Sequence, residues 1–303
     1  MVNDRSGRQT GTTPVLPTGV STVRLKEYLD LVKLVLAQGT LKKSRTGIDT
    51  ISYFGAHYRV DLANGFPLLT TKEIVWNSLL HELLWYLSGE DHIRNLRQHT
   101  KIWDAWADAD GNLDTAYGRY WRRFPHAYRD AAGHWQVREV DQIQFILDTL
   151  RTEPTSRRMV VTAWEPGNAT TSKLPPCHYS YVFNVQGDRL NCHLTQRSGD
   201  IALGIPFNLA CYATLTQILA EQTGLTVGWF SHTIVDAHIY TAATGSGREE
   251  YDHIPGLREQ LQRQPGSLPR LIIAKKPLSE LKFEDFRIEG YRPQPRIKFK
   301  VAV

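Results

Sequence analysis

The part of the sequence most informative about the fold runs from residue 178 to residue 222, HYSYVFNVQGDRLNCHLTQRSGDIALGIPFNLACYATLTQILAEQ. Apolar and polar residues alternate over 178–186 and again over 189–196, which is the period of β-strands, and Gly187 and Asp188 between them are typical of a hairpin turn. Residues 207–222 are apolar on nearly all sides, which indicates a helix buried at the centre of the protein. This stretch therefore predicts a sheet packed against a central helix.

The rest of the chain continues this pattern without an internal repeat or a linker. Helical periodicity predicts helices over 25–36, 76–87, 138–150 and 254–264. Strand patterns cover 45–71, 158–165 and 226–240, the last 35 residues indicate strands broken by proline, and 102–135 look irregular. Residues 1–22 show no hydrophobic period and are expected to form a loose tail. One α+β domain over residues 23–303 is the simplest interpretation.

The composition is that of an ordinary globular protein, with 41% hydrophobic and 22% charged residues. No apolar run approaches the roughly 18 residues that span a bilayer, and the first residues lack the order of a secretory signal. The three cysteines cannot all pair, which favours a reducing cytoplasm. A formal net charge of +5 without a run of Lys or Arg favours a small anion held in a pocket over a nucleic acid.

Cys177 is the first candidate for chemistry. It stands in Leu-Pro-Pro-Cys-His at 174–178, where two prolines restrict the backbone just before the predicted hairpin. A free cysteine is more often a small buried hydrophobe than a nucleophile, and that interpretation holds for Cys192 and Cys211 on their apolar faces. A thiol attacks as the thiolate, which a nearby cation favours, and Arg197 offers such a cation. Taken singly, however, Arg197 could form a surface ion pair, and Asn208 could be an ordinary helix cap.

Short motifs surround these residues in a fixed order along the chain. They are SRTG at 44–47, FPLLTTK at 66–72, HELLW at 81–85, IWDAWAD at 102–108, YGR at 117–119, SRR at 156–158, PCH at 176–178, QRSGD at 196–200, LGIPFN at 203–208 and DAHIY at 236–240. In this set the chain resembles the thymidylate synthase family, over about residues 24 to 303.

The resemblance implies an α+β fold with a large mixed β-sheet covered by helices. It further implies an obligate homodimer, in which the two sheets pack back to back and the active sites are shared. The implied reaction is the reductive methylation of dUMP to dTMP, with 5,10-methylenetetrahydrofolate as the co-substrate and without a metal.

The resemblance also assigns residues to the nucleotide. Cys177 would add to C6 of the uracil ring, which turns the ring into an enolate that can attack through C5. Asn208 would read the base, because its carboxamide offers one donor and one acceptor to O4 and N3–H. The other nucleotide residues implied by the match are Arg45, Arg197 and Ser198, with Arg157 and Arg158 of the partner subunit, at the phosphate, and His238 and Tyr240 at the deoxyribose 3′-hydroxyl.

The same match implies residues for proton transfer and for the folate. Glu82 would organise water and protons, and Tyr117 would help to position the water that removes the C5 proton. His178 would tune the hydrogen bonds beside the nucleophile. The folate would contact Lys72, Trp103, Asp200 and Gly204, and the C-terminal Val303 would fold over the bound pair and exclude water.

The sequence departs from the family pattern after Tyr240. Here the chain continues TAATGSGREEYDH over 241–253, about ten residues longer than the connection that the resemblance implies. We interpret this segment either as a harmless surface insertion or as a flap that tunes nucleotide affinity.

Two other functions remain open at this point. In a pyrimidine nucleotide hydroxymethylase, water rather than hydride would meet the methylene intermediate. Trp103, Trp106 and the short apolar C-terminus favour the synthase, because they should shield that methylene. A noncatalytic nucleic-acid-binding protein is the more distant alternative, and the completeness of the site argues against it.

Overall fold

The computed structural model describes residues 24–44, 47–243 and 245–302, so the tail expected for 1–22 lies outside the described residues. The helices in these ranges are α1 Glu27–Gln38, α2 Trp76–Ser88, α3 Tyr117–Arg122, α4 Gln142–Thr152, α5 Asn168–Thr171, α6 Gly204–Thr223 and α7 Ile254–Gln262. The strands are β1 Thr40–Lys42, β2 Asp49–Asp61, β3 Phe124–Arg129, β4 Trp135–Val140, β5 Val160–Thr162, β6 His178–Gln186, β7 Arg189–Asp200, β8 Thr226–Thr241, β9 Arg270–Ile273 and β10 Phe286–Glu289.

Six of the strands form one mixed sheet in the order β1-β2-β8-β7-β6-β5. Strands β7 and β8 run parallel, and the other neighbouring pairs are antiparallel. The predicted hairpin is β6 and β7, and the α6 helix makes the crossover that parallel strands require. This arrangement confirms the prediction of an α+β fold with a large mixed sheet.

The central helix α6 lies in the core. Leu209, Tyr212, Leu215 and Leu219 are fully buried, and the helix ends at Gly224, whose φ of 72° is the left-handed conformation that glycine adopts readily. Such burial on all sides explains why the sequence shows no polar face there. Although α6 is the longest described helix, neither it nor any other in the described ranges is long and apolar enough to cross a membrane.

The structure differs from the sequence prediction in the middle of the chain. Residues 102–135, expected to be irregular, contain α3 and β3, and β3 pairs with β4 in a two-stranded ribbon. The helix expected from residue 138 begins only at Gln142, because Asp141 caps it by accepting a hydrogen bond from the Gln144 amide. The strand expected over 45–71 is β2 alone.

The sheet has two different faces. Its inner face packs on α6, with Phe230 and Ile234 of β8 fully buried. On its outer face, residues such as Trp229 and Ser231 are half-buried, and the Arg59 guanidinium lies 4.5 Å from the centre of the Trp229 ring. The inner face thus supplies the core, and the outer face is a surface of mixed polarity.

Candidate active site

A cavity of about 530 Å³ lies where the ends of β7 and β8 meet the first turns of α6. This volume falls within the roughly 300–1,000 Å³ that small-molecule sites occupy. The predicted site residues that line it are Glu82, Trp103, Cys177, His178, Arg197, Ser198, Asp200, Gly204, Asn208, His238 and Tyr240. Among the described residues, no group of three or more His, Cys, Asp or Glu side chains is placed to hold a metal ion.

Cys177 lies just before β6, beside the guanidinium of Arg197. The Arg197 Nη2 is 3.5 Å from the Cys177 Sγ, while the same side chain donates to the carbonyl oxygens of Pro175 at 2.6 Å and Pro176 at 3.0 Å. Because two backbone acceptors hold the guanidinium, its charge stays next to the sulfur. A cation at this distance stabilises the thiolate, which is the nucleophilic form.

Tyr117 and His178 support the nucleophile from behind. The Tyr117 hydroxyl accepts a hydrogen bond from the Cys177 amide at 2.7 Å, and its ring stacks on His178 at 3.7 Å between centres. Gly118 lets α3 approach α2, since a Cβ there would lie 2.5 Å from the Tyr86 carbonyl oxygen. Burial lowers the pKa of His178 to about 3, so its imidazole is neutral near pH 7.

Glu82 faces the cavity from the middle of α2. Its carboxyl accepts a hydrogen bond of 2.7 Å from the Trp103 indole. Burial raises the pKa of Glu82 to about 7, although hydrogen bonds with Tyr86 and Trp103 act in the opposite direction. A carboxyl with such a pKa can both accept and release a proton near neutral pH, as general acid–base catalysis requires.

Asn208 lies in the second turn of α6, which begins at Gly204, so the interpretation of Asn208 as a helix cap is wrong. The residue before the helix is Leu203, and no side chain caps the helix there. The Asn208 Oδ1 accepts a hydrogen bond of 3.1 Å from the Gln196 side chain. A short first turn before Asn208 thus brings its amide into the cavity beside β7.

The parallel pairing of β7 and β8 brings the remaining nucleotide residues together. Ser198 is paired with Asp236 in register, and its hydroxyl lies 3.5 Å from the His238 Nδ1. Asp236 accepts hydrogen bonds from Lys42 at 2.5 Å and Ser52 at 2.6 Å. Both hydrogen bonds tie β8 to the β1–β2 side of the cavity.

Six predicted residues are not among those that line this cavity, and two of them, Tyr117 and Lys72, are buried beside it. Arg45 and Val303 lie outside the described residues, although their neighbours Ser44 and Ala302 line the cavity. Arg157 and Arg158 are exposed and do not line the cavity of their own chain. Their predicted contribution to a partner's site stays a prediction.

Lys72 and Asp200 lie beneath the C-terminal segment. The Lys72 ammonium is buried, donates to the Ala202 carbonyl at 2.5 Å and lies 4.6 Å from the centre of the Phe299 ring. Burial lowers the pKa of Lys72 to about 8. Burial alone would raise the pKa of Asp200, but the neighbouring His253 and His238 imidazoles and the hydrogen bond from the Ala202 amide outweigh it and lower that pKa overall.

The long connection after Tyr240 contacts two sides of the cavity. Arg248 Nη1 donates at 2.7 Å to the carbonyl of Gly47, the last residue of the SRTG motif. Glu250 pairs with Lys300, whose carbonyl oxygen lies 2.9 Å from the His253 Nε2. The segment therefore links the loop before β2 to the C-terminal residues.

Sequence reasoning missed several residues of the site. Asp236 and Gln196 both belong to the quoted motifs, DAHIY and QRSGD, but no role was assigned to them. Their place in those motifs could have identified them as site residues. Leu174 and Phe207 add apolar lining, and no pattern in the sequence distinguishes them from core residues.

Comparison with known proteins agrees with this geometry. The family model described as Thymidylate synthase matches residues 26–303. A protein named Thymidylate synthase from Haloferax volcanii is 49% identical over 326 aligned positions, which cover 90% of this chain and 95% of the relative. The chain belongs to the thymidylate synthase family.

Proposed function

We propose that this chain methylates dUMP to dTMP, taking both the carbon and the hydride from 5,10-methylenetetrahydrofolate, and that residues 23–303 form the catalytic domain. The observation that carries the proposal is the thiol of Cys177 held 3.5 Å from the Arg197 guanidinium in a cavity shared with Asn208 and Glu82. Few other reactions need an activated thiol, an amide that reads a base and a carboxyl with a raised pKa in one place.

Cys177 begins the reaction by adding to C6 of the uracil ring. The new S–C6 bond sends the electrons of the C5–C6 double bond toward O4, which makes C5 a nucleophile. The folate supplies the methylene carbon to C5 and later a hydride, and is itself oxidised to dihydrofolate. Loss of the C5 proton breaks the bond between the methylene carbon and the folate nitrogen, which leaves an exocyclic methylene on C5. Hydride transfer from the folate to this methylene gives the methyl group, expels the thiolate and restores the C5–C6 double bond, so Cys177 returns unchanged.

Glu82 handles protons during this sequence. Its carboxyl faces the cavity beside Trp103, and its pKa of about 7 permits either protonation state. Protonation of O4 through Glu82 or an ordered water stabilises the enolate, and the same group can later take the proton back. Tyr117 and His178 pack behind Cys177. The Tyr117 hydroxyl fixes the Cys177 backbone through its amide, and the two stacked rings are uncharged.

Asn208 selects uracil, because its amide offers a donor to O4 and an acceptor to N3–H. His238 and Tyr240 hold the 3′-hydroxyl of the deoxyribose, and Ser198 with Arg197 contacts the phosphate.

The phosphate site is completed across a homodimer. Arg45 belongs to the same chain, and Arg157 and Arg158 of the partner subunit supply two further guanidinium groups. Support comes from the exposure of Arg157 and Arg158 away from their own cavity and from the half-buried outer face of the sheet, which a second sheet can cover.

The folate binds between Trp103 and the C-terminal segment. Asp200 contacts the pterin near Gly204. Lys72 stabilises the backbone beneath the pterin through its hydrogen bond to the Ala202 carbonyl. Val303 closes over the bound nucleotide and folate. The cysteines at 177, 192 and 211 are free of disulfides, which supports a reducing compartment such as the cytoplasm.

Product analysis tests this proposal. The protein is incubated with dUMP and 5,10-methylenetetrahydrofolate, with Cys177→Ser as the background control. Equal amounts of dTMP and dihydrofolate are expected. Tetrahydrofolate with 5-hydroxymethyl-dUMP would assign the chain to the hydroxymethylases instead, and no modified nucleotide at all would contradict catalysis.

A further inference from the structure

Four buried or half-buried polar side chains form a continuous line from the inner face of the sheet to the cavity. The Tyr58 hydroxyl lies 3.0 Å from the His232 Nδ1, and the His232 Nε2 lies 3.0 Å from the Gln196 Oε1. The Gln196 Nε2 in turn lies 3.1 Å from the Asn208 Oδ1. These residues stand on β2, β8, β7 and α6, and Tyr58 and His232 are direct cross-strand partners. We call this line the amide relay.

A backbone carbonyl gives the amide relay its direction. The Gln196 Nε2 also lies 2.9 Å from the Ser198 carbonyl oxygen, which can only accept a hydrogen bond. The nitrogen end of the Gln196 amide must therefore face Ser198 and Asn208, and its oxygen end must face His232. Since that oxygen needs a donor, the His232 Nε2 carries the hydrogen.

The other end of His232 is fixed by the same reasoning. The imidazole is fully buried, and burial lowers the pKa of His232 well below its ordinary value, so the ring is neutral and carries a single hydrogen. With that hydrogen on Nε2, Nδ1 is an acceptor and receives the Tyr58 hydroxyl hydrogen. Tyr58 thus stabilises the tautomer that Gln196 requires.

The orientation of Asn208 follows from this chain of donors. Gln196 presents N–H, so Asn208 must turn its oxygen toward Gln196, which leaves its NH₂ group and a second lone pair of Oδ1 for a ligand. In this orientation the amide complements O4 and N3–H of uracil. Turned over, the same amide would complement the amino group and the unprotonated N3 of cytosine.

We infer that His232 and Tyr58 are positioning residues that prevent the Asn208 amide from turning over, and so set the preference for uracil over cytosine. The inference rests on the proposed role of Asn208 as the base reader. Neither residue touches the cavity; both act through Gln196. Loss of the His232 donor leaves the Gln196 oxygen buried without a partner, which favours rotation of both amides.

Nucleotide binding by variants tests the inference. The dissociation constants for dUMP and dCMP are measured by calorimetry on the folded dimer, and their ratio is compared with that of the unmodified protein. His232→Leu should reduce the preference for dUMP by about tenfold, because a buried acceptor loses its donor. Tyr58→Phe should reduce the preference for dUMP by roughly threefold, because His232 keeps its Nε2 donor and loses only the hydrogen bond at Nδ1 that favours this tautomer. His232→Gln, whose side-chain amide offers N–H near the Nε2 position, should restore most of the preference.

Tyr181→Phe is the matched control. Tyr181 is buried on the same face of the sheet, and no described group lies within hydrogen-bonding distance of its hydroxyl. This variant should keep the ratio whatever it does to stability, which thermal unfolding reports separately.

Each outcome bears on one proposal. An unchanged ratio in Tyr58→Phe and in folded His232→Leu, with the preference lost in Asn208→Asp, would overturn the relay and leave the base reader in place. If His232→Leu does not fold, an unchanged ratio in Tyr58→Phe is enough to overturn it. A native protein that binds both nucleotides equally would contradict the proposed role of Asn208 itself, and the relay would fall with it.

Discussion

One wall of the cavity consists of regular secondary structure, and the opposite wall consists of loops. The sheet wall carries Cys177, Arg197 and Asn208 on or beside β6, β7 and α6, where backbone carbonyls and buried amides hold them. The loop wall comprises the lining residues 42–44, 301 and 302, to which Gly47 and residues 248–253 are linked through Ser44 and Lys300. Its links are ion pairs such as Lys42 with Asp236 and Lys300 with Glu250, which are partly exposed to solvent.

This difference in how the two walls are held assigns bond formation to the sheet wall and closure of the cavity to the loop wall. A buried hydrogen bond that loses its partner costs about 1–3 kcal/mol, whereas an exposed ion pair contributes about 0–1 kcal/mol. Side chains of the sheet wall are therefore held in one geometry, as bond formation requires, and the loop wall can open and close at low cost. Loss of the nucleophile in the sheet wall should therefore lower the rate, and loss of a contact in the loop wall should weaken binding while the rate is kept.

The largest effect is expected at the nucleophile. Cys177→Ser should lower kcat by roughly a thousandfold or more, because a serine hydroxyl is a much weaker acid and nucleophile than a cysteine thiol. Binding of dUMP should change little, since the cationic groups remain. Cys192→Ser is the matched control: burial raises the pKa of the Cys192 thiol to about 12, so this variant should lose stability rather than turnover. Substantial turnover by Cys177→Ser would contradict the role of Cys177 as the nucleophile.

Glu82→Gln should lower kcat by about a hundredfold, the usual range for a lost general acid–base group. The wild-type rate should follow an ionisation near pH 7, and the variant should not. The free energy of unfolding should also depend on pH, because folding raises the pKa of Glu82 from about 4.5 to about 7. The stabilisation that the protonated carboxyl contributes is fully present below the unfolded pKa and is lost as pH rises through 7.

Thermal unfolding at several pH values measures that second effect. The melting temperature of Glu82→Gln should rise relative to the unmodified protein between pH 5 and pH 8. Parallel pH profiles of rate and stability for the two proteins would mean that Glu82 does not titrate there.

The third expectation concerns whether a partner subunit completes the phosphate site. Cys177→Ser and Arg158→Ala are each expected to be inactive, and mixing them should restore about a quarter of the native activity when subunits exchange at random. In a hybrid dimer one site has both defects and the other has neither. Subunit exchange is verified with a tagged copy, and exchange without recovered activity would contradict shared sites.

The smallest effect is expected in the connection after Tyr240. Arg248→Ala removes the hydrogen bond to the Gly47 carbonyl and should raise KM for dUMP about two- to fivefold while kcat is kept, since the contact is exposed. Arg287→Ala, at an exposed position of β10 that does not line the cavity, is the control. An unchanged KM would leave the connection as an inert insertion.

The two walls also differ in how far the sequence predicts them. The helices α2 and α6 and the strands β6 to β8 carry one-sided or complete apolar patterns, and the motifs on them predicted Cys177, Arg197 and Asn208. The β3–β4 ribbon escaped prediction because it is largely exposed on both faces and so has no apolar alternation. Tyr58 and His232 are separated by 174 positions, and only the pairing of β2 with β8 brings them together.

Exchange of the C5 hydrogen of dUMP tests the central claim most directly. Addition of Cys177 to C6 gives an enolate that can take up a solvent deuteron at C5. Loss of the original C5 proton and of the thiolate then returns labelled dUMP, so the C5 hydrogen should exchange with solvent even when methylation cannot proceed. The protein is incubated in D₂O with dUMP and tetrahydrofolate, which lacks the carbon to be transferred, and the nucleotide is analysed by mass spectrometry. Deuterium at C5 with the native protein, and none with Cys177→Ser, is the predicted result; equal exchange by both proteins would contradict a covalent role for Cys177.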